Sequence, residues 1–459
     1  MKKVFVQGLG FVGSAMATAT AIARDLNGDL LYDVIGIDLP NNIGSERVRS
    51  INDGEFPFPT SDKNLISAIS EATKNGNLKA SIDQNKYSEA DIIIVDIPLD
   101  IDYLNEEAQL NFKSFESAIS TLGQQISLNT LLVIETTVPP GTCEKIIIPI
   151  LRRELQKREM SLNDILLSHS YERVMPGDNY LASIIDNWRV FSGFNKESAD
   201  ACEEFLSSII NVENFPLTRL SSLTESETSK VMENTYRAVN IAFIDEWTKF
   251  GEKIGVDLFN ITEAIRVRPS HANIRYPGLG VGGYCLTKDP TFAPAAAAQL
   301  FGENLSFPLS KMAVKINDEM PLHTFNRLLP FLDNSLTDKN ILVCGVSYRQ
   351  DIGDTRYSPS EKLVRQLLDQ GAKVTCHDPY IEFWEEMNQD LPKQLPPGNK
   401  YDAIIMAVPH KHYKMLDIPQ WADGCGIILD ANMVLSYDQR KIARESGIRV
   451  ESIGRADGL

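Results

Sequence analysis

Short apolar segments alternate with helix-like segments in the first part of the chain. The residues from Lys2 to Gly8 carry the run VFVQG, and later runs are Val34 to Ile37, Asp91 to Ile97 and Leu131 to Thr137. Continuous runs rich in β-branched residues are typical of parallel strands that are covered on both faces. A segment of small residues, Ser14 to Ala23, follows the first run and favours a helix. The pattern predicts a doubly wound α/β domain.

A long helical pattern runs from Leu223 to Ile254 in the middle of the chain. Its apolar positions recur at spacings of three and four residues, as in the set Val231, Thr235, Ala238 and Ala242. Helices of this length usually bridge domains or form dimers. We expect the apolar stripe to form a dimer contact, because its small residues permit close approach of two helices.

The α/β pattern returns in the last third of the chain. One further strand is predicted near Arg189 to Gly193, before the long helix. In the last third the apolar runs are Asn340 to Val346, Lys373 to His377, Asp402 to Val408 and Ile427 to Asp430. We therefore predict an α/β fold with two Rossmann-like doubly wound domains joined by a long helical central region. The predicted domains are residues 1–215, 216–325 and 326–459.

Glycines follow the first predicted strand in the spacing of a dinucleotide-binding turn. Gly8, Gly10 and Gly13 form GxGxxG between a strand and a helix. The first glycine makes the turn, the second admits a pyrophosphate, and the third lets the helix and the strand pack closely. Asp38 ends the second predicted strand, where a carboxylate accepts hydrogen bonds from ribose hydroxyls and repels a 2′-phosphate. The sequence therefore predicts NAD rather than NADP as the cofactor.

Composition and charge exclude several other classes of function. The 459 residues suffice for about three domains, and 45 basic against 62 acidic residues give a net charge of -17. This acidity argues against nucleic acid and anionic membranes as partners. The six cysteines show no CxxC pair, so we expect neither a disulfide framework nor a metal site. Without an apolar stretch long enough to span a membrane, the sequence favours a cytoplasmic protein.

One cysteine, Cys285, stands in a setting that is typical of a nucleophile. It follows a glycine-rich loop and precedes Lys288 and Asp289, which are able to tune a thiolate or position a water. A glycine turn before a buried cysteine gives the same pattern. From these residues alone both interpretations stay open.

Six segments taken together resemble the motifs of the nucleotide-sugar 6-dehydrogenases, in the same order and over nearly the whole chain. They are GLGFVG (Gly8 to Gly13), ETTVPPGT (Glu135 to Thr142), SYERVMPG (Ser170 to Gly177), SETSKVMENTYRAVNIAFIDE (Ser226 to Glu246), GVGGYCLTKDP (Gly280 to Pro290) and GVSYRQDIGDTRYSPS (Gly345 to Ser360). The resemblance implies an NAD domain, a helical middle that forms a homodimer, and a carboxy-terminal domain that binds the nucleotide of a sugar substrate.

The resemblance also implies a reaction and a set of catalytic residues. The C6 alcohol of the sugar is oxidised by four electrons to a uronic acid, with Cys285 as the thiolate that traps the aldehyde. Lys230 stabilises the oxyanion and Asn234 helps to hold the substrate. Asp289 and Thr137 position or activate water.

Further residues are implied for acid/base chemistry and for binding. Glu172 handles protons or water near the thioester. The cofactor-binding residues implied are Gly8, Gly10, Phe11, Val12, Gly13, Asp38, Arg47, Pro98, Thr137 and Arg356. The substrate-binding residues implied are Glu172, Arg173, Lys230, Asn234, Arg237, Arg275, Tyr276, Gly283, Tyr348 and Arg349.

The identity of the nucleotide sugar stays open at this point. SYERVMPG and MENTYRAVNIAF resemble the branch acting on UDP-N-acetylhexosamines, whereas CLTKD resembles the UDP-glucose and GDP-mannose enzymes. Tyr284 stands where His or Ser is common, and His271 stands where an arginine is usual, with Arg268 and Arg275 nearby. We expect an enzyme of the UDP-N-acetylhexosamine branch in polysaccharide precursor synthesis. The alternatives are a UDP-glucose or GDP-mannose dehydrogenase, or a non-catalytic homologue that binds both ligands.

Overall fold

The computed structural model describes residues 1–104 and 107–455, and the chain divides into two compact units. The first unit holds Met1–Glu233 and Thr291–Ser306. The second holds Asn234–Pro290 and the residues from Phe307 onward. The predicted division into three domains, with boundaries after residues 215 and 325, stays a prediction.

The elements from the amino end through the long helix are β1 Lys2–Gln7, α1 Phe11–Ala21, β2 Tyr32–Ile37, α2 Asn42–Asn52, α3 Lys63–Asn75, β3 Leu78–Ser81, β4 Ile92–Val95, β5 Asp100–Leu104, β6 Glu107–Asn111, α4 Lys113–Gln125, β7 Leu131–Ile134, α5 Ile148–Gln156, β8 Leu166–His169, α6 Ala182–Ile185, β9 Val190–Gly193, α7 Lys196–Ser207, β10 Thr218–Arg219 and α8 Leu223–Ile254.

The remaining elements are α9 Leu258–Arg266, α10 Phe292–Leu300, α11 Pro308–Leu328, β11 Asn340–Cys344, α12 Pro359–Asp369, β12 Lys373–His377, β13 Phe383–Trp384, β14 Gln389–Asp390, β15 Ala403–Met406, α13 Lys411–Lys414, α14 Ile418–Trp421, β16 Ile427–Asp430, α15 Tyr437–Glu445 and β17 Val450–Ser452. Among them, α10 belongs to the first unit.

An eight-stranded sheet forms the centre of the first unit. Its strand order is β10-β9-β8-β7-β4-β1-β2-β3, and β3, β2, β1, β4, β7 and β8 run parallel. β1, β4 and β7 are apolar and buried, so core residues cover both faces of the sheet. Because the strands are parallel, their carboxyl ends lie at one edge. Gly8, Asp38, Asp96 and Glu135 directly follow β1, β2, β4 and β7 at this edge.

A five-stranded parallel sheet forms the centre of the carboxy-terminal part of the second unit. Its order is β12-β11-β15-β16-β17. The order reverses between β11 and β15, which in open α/β sheets is where ligands bind. Gly345 follows β11 with φ of +105° and packs against Val408. The predicted α/β fold with two Rossmann-like sheets and a long helix is confirmed.

Most predicted strands are present, but several end earlier than the apolar run. β4 stops at Val95 and β7 stops at Ile134, where these two residues form the last pair of their ladder. The predicted ends Ile97 and Thr137 lie beyond it. The chain leaves the sheet at these points and carries its polar side chains to the carboxyl edge.

Helix α8 begins and ends at the predicted residues, but the expected dimer stripe lies inside the chain. Val231 belongs to the core of the first unit. Ala238 and Ala242 are buried against Ala313 of α11. The expectation that this stripe forms a dimer contact is therefore wrong, because spacing identifies an apolar face but not the partner that covers it.

Among the described residues, no helix is both long enough and apolar enough to cross a membrane.

We predict that the two neighbouring glycines of the first loop differ in their tolerance of a methyl group. A Cβ on Gly13 would lie 1.9 Å from the carbonyl oxygen of Gly8, whereas a Cβ on Gly10 would meet nothing within 4 Å. Gly13→Ala should therefore cost about 1–3 kcal/mol of unfolding free energy, as overpacking does. Gly10→Ala should unfold like the unchanged protein. Denaturant unfolding of both variants checks this, and equal stability of the two would contradict it.

Candidate active site

The glycine loop of the first unit has the shape that a dinucleotide pyrophosphate needs. Gly8 has φ of +95°, and a Cβ there would lie 2.6 Å from the carbonyl oxygen of Asp96. Gly13 allows α1 to approach β1, while the space beside Gly10 is open. The first backbone N–H groups of α1 have no intrahelical partner, and the helix dipole there favours an anion. The residues present therefore fit NAD.

Asp38 lies directly beside this loop and is nearly buried. Its carboxylate accepts hydrogen bonds from the backbone N–H of Leu9 at 3.3 Å and of Leu39 at 2.7 Å. The guanidinium of Arg47 lies 3.2 Å from the same carboxylate and 5.4 Å from the ring centroid of Phe58. The structure thus brings together the glycine loop, the predicted ribose acceptor Asp38 and Arg47, another predicted cofactor residue.

The other predicted cofactor residues of the first unit lie along the same edge of the sheet. Phe11 and Val12 begin α1, and the ring of Phe11 stacks on Phe58 with centroids 4.0 Å apart. Pro98 is exposed two residues beyond Asp96, and Thr137 is partly exposed beyond β7. Arg356 belongs to the second unit.

Two of the predicted catalytic residues, Lys230 and Glu172, meet in the first unit. The ammonium of Lys230 donates a hydrogen bond to the backbone oxygen of Glu172 at 2.7 Å and lies 3.7 Å from its carboxylate. It also lies 5.2 Å from the ring centroid of Tyr171. Both side chains are nearly buried. The position of this charge is therefore fixed by the SYERVMPG segment.

Arg173 lies in the same segment but contacts protein groups. Its guanidinium donates to both carboxylate oxygens of Glu233 and to the backbone oxygen of Trp188. This bonding raises the pKa of Arg173 against the opposing effect of burial. In the described residues Arg173 thus supports the position of Glu233 on α8, and its predicted contact with substrate stays a prediction.

Cys285 differs from the other cysteines of the chain. None of the six forms a disulfide, and Cys285 is partly exposed while the other five are buried. Burial raises the pKa of those five thiols, to about 12 for Cys202 and Cys376 and to about 11 for Cys425. A thiol acts as a nucleophile through its thiolate, so burial leaves those five unreactive. The structure favours Cys285 as the reactive thiol.

The turn that follows Cys285 holds Asp289 next to it. The backbone N–H of Asp289 donates to the carbonyl oxygen of Cys285 at 2.9 Å. The buried carboxylate of Asp289 accepts from the amide of Asn234 at 2.7 Å and from the ammonium of Lys288 at 3.2 Å. Three of the predicted catalytic residues, Cys285, Asn234 and Asp289, therefore form one connected group in the second unit.

A cavity of about 260 Å³ in the second unit contains several predicted substrate residues. Arg237, Arg275 and Tyr276 line it, together with Leu286, which follows Cys285 directly. Partial burial, and then the charges of Arg237 and Arg266, lower the pKa of Arg275. Two like charges facing one cavity suit an anionic ligand.

The remaining predicted residues of the second unit surround the loop before Cys285. A Cβ on Gly283 would lie 2.8 Å from the ring of Tyr348, so this ring packs directly on the glycine. Arg349 is exposed. Arg356 binds Asp354 through two nitrogens and lies 5.7 Å from the ring centroid of Tyr284.

Tyr284 itself contacts a second cation. The ammonium of Lys288 lies 4.2 Å from its ring centroid. The aromatic residue beside Cys285 is thus positioned by Lys288 and Arg356 together. Nothing in the structure explains His271, which is exposed and bonds to Ser270.

Sequence reasoning missed Glu227, which positions the ETTVPPGT segment. Its buried carboxylate accepts the backbone N–H groups of Gly141 at 2.6 Å and Cys143 at 2.7 Å. Burial is the main cause that raises the pKa of Glu227 to about 7. An acid amid the apolar positions of α8 was the available signal. Sequence reasoning also missed Asp96, for which the available signal was an acid directly after the apolar strand β4.

We predict that Asp38 and Arg47 together decide cofactor choice. The unchanged protein should prefer NAD over NADP by a wide margin, because a carboxylate repels a 2′-phosphate. Asp38→Ala should weaken NAD use and narrow the preference by at least about tenfold, since Arg47 is then released to face the phosphate. In the control Asp38→Ala/Arg47→Ala, the efficiency with NADP should not rise as it does in Asp38→Ala, because the arginine that faces the phosphate is also removed. Steady-state kinetics with both cofactors measures this, and equal efficiency in the unchanged protein would refute the role of Asp38.

Comparison with known proteins agrees with this geometry along the whole chain. Residues 2–210 match the NAD binding domain, residues 224–319 the central domain and residues 342–438 the UDP binding domain of the UDP-glucose/GDP-mannose dehydrogenase family. The UDP-N-acetyl-D-mannosamine dehydrogenase of Methanocaldococcus jannaschii is 30% identical, over 99% of this chain and 96% of its own.

Two solved structures are also similar to the chain. The UDP-D-ManNAc dehydrogenase from Pyrococcus horikoshii has a TM-score of 0.81 at 25% identity, covering 99% of this chain and 100% of its own. The NDP-N-acetyl-D-galactosaminuronic acid dehydrogenase from Methanosarcina mazei Go1 has a TM-score of 0.78 at 26% identity, covering 99% of this chain and 95% of its own. With three consecutive domain matches and a relative aligned over 96% of its length, the chain belongs to the UDP-glucose/GDP-mannose dehydrogenase family and is an NAD-dependent nucleotide-sugar dehydrogenase.

Proposed function

We propose that the chain oxidises the C6 hydroxyl of a UDP-N-acetylhexosamine to the carboxylate, with UDP-N-acetyl-D-mannosamine as the first candidate. The observation that carries this proposal is the full-length match to the Methanocaldococcus jannaschii enzyme, whose name states that substrate. The Pyrococcus horikoshii structure supports the same sugar, and the Methanosarcina mazei structure supports an N-acetylated hexosamine more generally.

The cavity in the second unit supports binding of a nucleoside diphosphate. Arg237 and Arg275 supply positive charge, and Tyr276 and Leu286 supply apolar surface. The guanidinium of Arg275 has no hydrogen-bond partner among the described residues. Arginine forks match phosphate oxygens in pairs. We assign the diphosphate of the sugar nucleotide to these two arginines.

The proposed chemistry proceeds through a thioester on Cys285. The C6 alcohol loses a hydride and a proton to become the aldehyde, and the thiolate of Cys285 adds to its carbonyl carbon. The resulting thiohemiacetal loses a second hydride and a proton to become a thioester. Water then cleaves the thioester to the carboxylate and the free thiol. Bound NAD supplies the chemistry of hydride acceptance, once in each oxidation.

The charged groups around this chemistry have distinct proposed roles. Lys230 stabilises the alkoxide oxygens, because its ammonium is held in place by Glu172 and Tyr171. Asp289, held by Asn234 and Lys288, positions the water that cleaves the thioester. Glu172 exchanges the protons that these steps release. We further propose that the product enters polysaccharide precursor synthesis in the reducing cytoplasm, to which cysteines that form no disulfide are suited.

We propose that the chain forms a homodimer through α8. The contact uses a different face of this helix from the stripe with Ala238 and Ala242, which is covered by α11. An exposed apolar stripe recurs at helical spacing along this helix, made of Tyr236, Phe243, Trp247, Phe250 and Ile254. The ring centroids of Phe243 and Trp247 lie 6.1 Å apart, and those of Trp247 and Phe250 lie 5.6 Å apart. Exposed aromatic surface of this extent marks an interaction site, and the helical middle of the family supports a second copy as the partner.

We predict that UDP-N-acetyl-D-mannosamine gives the highest kcat/KM in a panel of UDP- and GDP-sugars. Each sugar consumed should yield two equivalents of NADH, because both oxidations occur before the product leaves. NADH absorbance and product mass measure this. UDP-glucose or GDP-mannose as the best substrate would overturn the sugar assignment, and one NADH per sugar with free aldehyde would overturn the thioester route.

The Cys285→Ala variant should form no acid while still binding NAD, because it lacks the nucleophile. The matched control is Cys143→Ser, in which a buried thiol with a raised pKa is changed. It should turn over normally once folded. Acid formation by Cys285→Ala at the rate of the unchanged protein would refute the mechanism.

The aromatic stripe of α8 gives a prediction about assembly. Trp247→Glu places a charge in the proposed interface and should shift the mass in light scattering from dimer to monomer. Tyr437→Glu, which changes a more exposed aromatic residue on α15, should leave the dimer intact. A monomer mass for the unchanged protein would remove this proposal alone.

A further inference from the structure

Three ionisable side chains meet at the carboxyl edge of the first sheet, and none of them belongs to the proposed catalytic group. Asp96 follows β4, Glu135 follows β7, and Arg189 precedes β9. The side chains of Arg189 and Glu135 are each only 2% exposed. Their guanidinium and carboxylate lie 2.5 Å apart, and Arg189 also reaches the sulfur of Met16 in α1 at 3.6 Å. The cluster therefore lies beneath the cofactor loop and its helix.

The two carboxyl groups of this cluster require a proton between them. Asp96 and Glu135 directly follow Val95 and Ile134, the last residues paired between β4 and β7, so the two acids lie side by side. Oδ2 of Asp96 and Oε2 of Glu135 are buried, and no donor in the described part of the chain reaches either atom. Two ionised carboxylates in such contact repel each other strongly. One of the two must carry a proton and donate it to the other.

The surrounding charges place this proton on Asp96. The guanidinium of Arg189 pairs with Glu135. Burial and then the charges of Glu135 and Glu172 raise the pKa of Asp96 well above its usual value, while Arg189 acts in the opposite direction. Helix α1 carries no ionisable side chain. These surroundings favour the neutral form of Asp96 in the folded protein.

Asp96 touches the loop that receives the pyrophosphate. Its backbone oxygen lies 2.6 Å from the position of a Cβ on Gly8, and its own Cβ lies 3.2 Å from that of a Cβ on Gly13. An ionised carboxylate at this place would repel a pyrophosphate across the loop. A protonated one presents no charge and is held in place by Glu135.

We propose that Asp96 is a positioning residue for the cofactor, which holds a buried proton beneath the glycine loop, with Glu135 and Arg189 fixing its orientation. Loss of this proton turns a neutral support into a negative charge that opposes the binding of NAD. The proposal concerns the binding step and is independent of which sugar is oxidised.

The proton on Asp96 should also make the stability of the folded protein depend on pH. An aspartate in the unfolded chain loses its proton at about pH 3.9, whereas Asp96 keeps it in the folded protein. Between these two pKa values the folded state binds one proton more, so stability falls as the pH rises. Asp96→Asn keeps the shape and the hydrogen bond to Glu135 and removes this penalty. It should raise the melting temperature at neutral pH, and the gain should shrink toward pH 4.

The direct test measures the dissociation constant of NADH by its fluorescence between about pH 6 and pH 9.5, the range in which strongly buried carboxyl groups ionise. The unchanged protein should lose about tenfold in affinity over this range. Asp96→Asn should bind NADH with the same dissociation constant at every pH in this range. Asp29→Asn, which removes an exposed charge from the same unit, should follow the unchanged protein.

Asp96→Ala serves as a second variant that also lacks the titrating group, so its affinity should likewise be independent of pH. The proposal is overturned if the loss of affinity persists in Asp96→Asn or Asp96→Ala, because another group then titrates. It is also overturned if the unchanged protein binds NADH equally at all these pH values and Asp96→Asn gives no gain in melting temperature.

Discussion

Parallel pairing of the apolar strands is the constraint on which the rest of the first unit depends. β1, β2, β4 and β7 run in one direction, so the residues that follow them gather at one edge. Each of these strands is followed there by a glycine or an acid. The glycines leave room for a pyrophosphate, Asp38 lies beside their loop, and Asp96 touches it.

The second unit provides a different kind of chemistry. Its partly exposed thiol, Cys285, is followed by a turn that holds Asp289 against Asn234 and Lys288. Its cavity carries two arginines. The first unit thus has the features of a site for NAD, and the second has those of a nucleophile and an anion site. This division matches the order of the NAD binding, central and UDP binding domains in the family.

Much of the fold was predictable because its strands are continuous apolar runs and its longest helix has a regular period. Asp38 and Cys285 were predictable because they stand at fixed places after a strand and a glycine loop. The pairing of Asp96 with Glu135 and Arg189 was not, since these residues are distant in sequence and meet only through strand order. The covered face of α8 was misassigned because periodicity does not show that Ala238 and Ala242 pack on Ala313.

The central claim is that Cys285 carries the oxidised sugar as a thioester. The most direct measurement is peptide mass mapping of Asp289→Asn after acid quenching during turnover, since slower hydrolysis should let the intermediate accumulate. We expect a uronyl-nucleotide adduct on the peptide that contains Cys285, and on no other cysteine peptide. Turnover with no adduct on that peptide, or with an adduct on another thiol, would contradict the account.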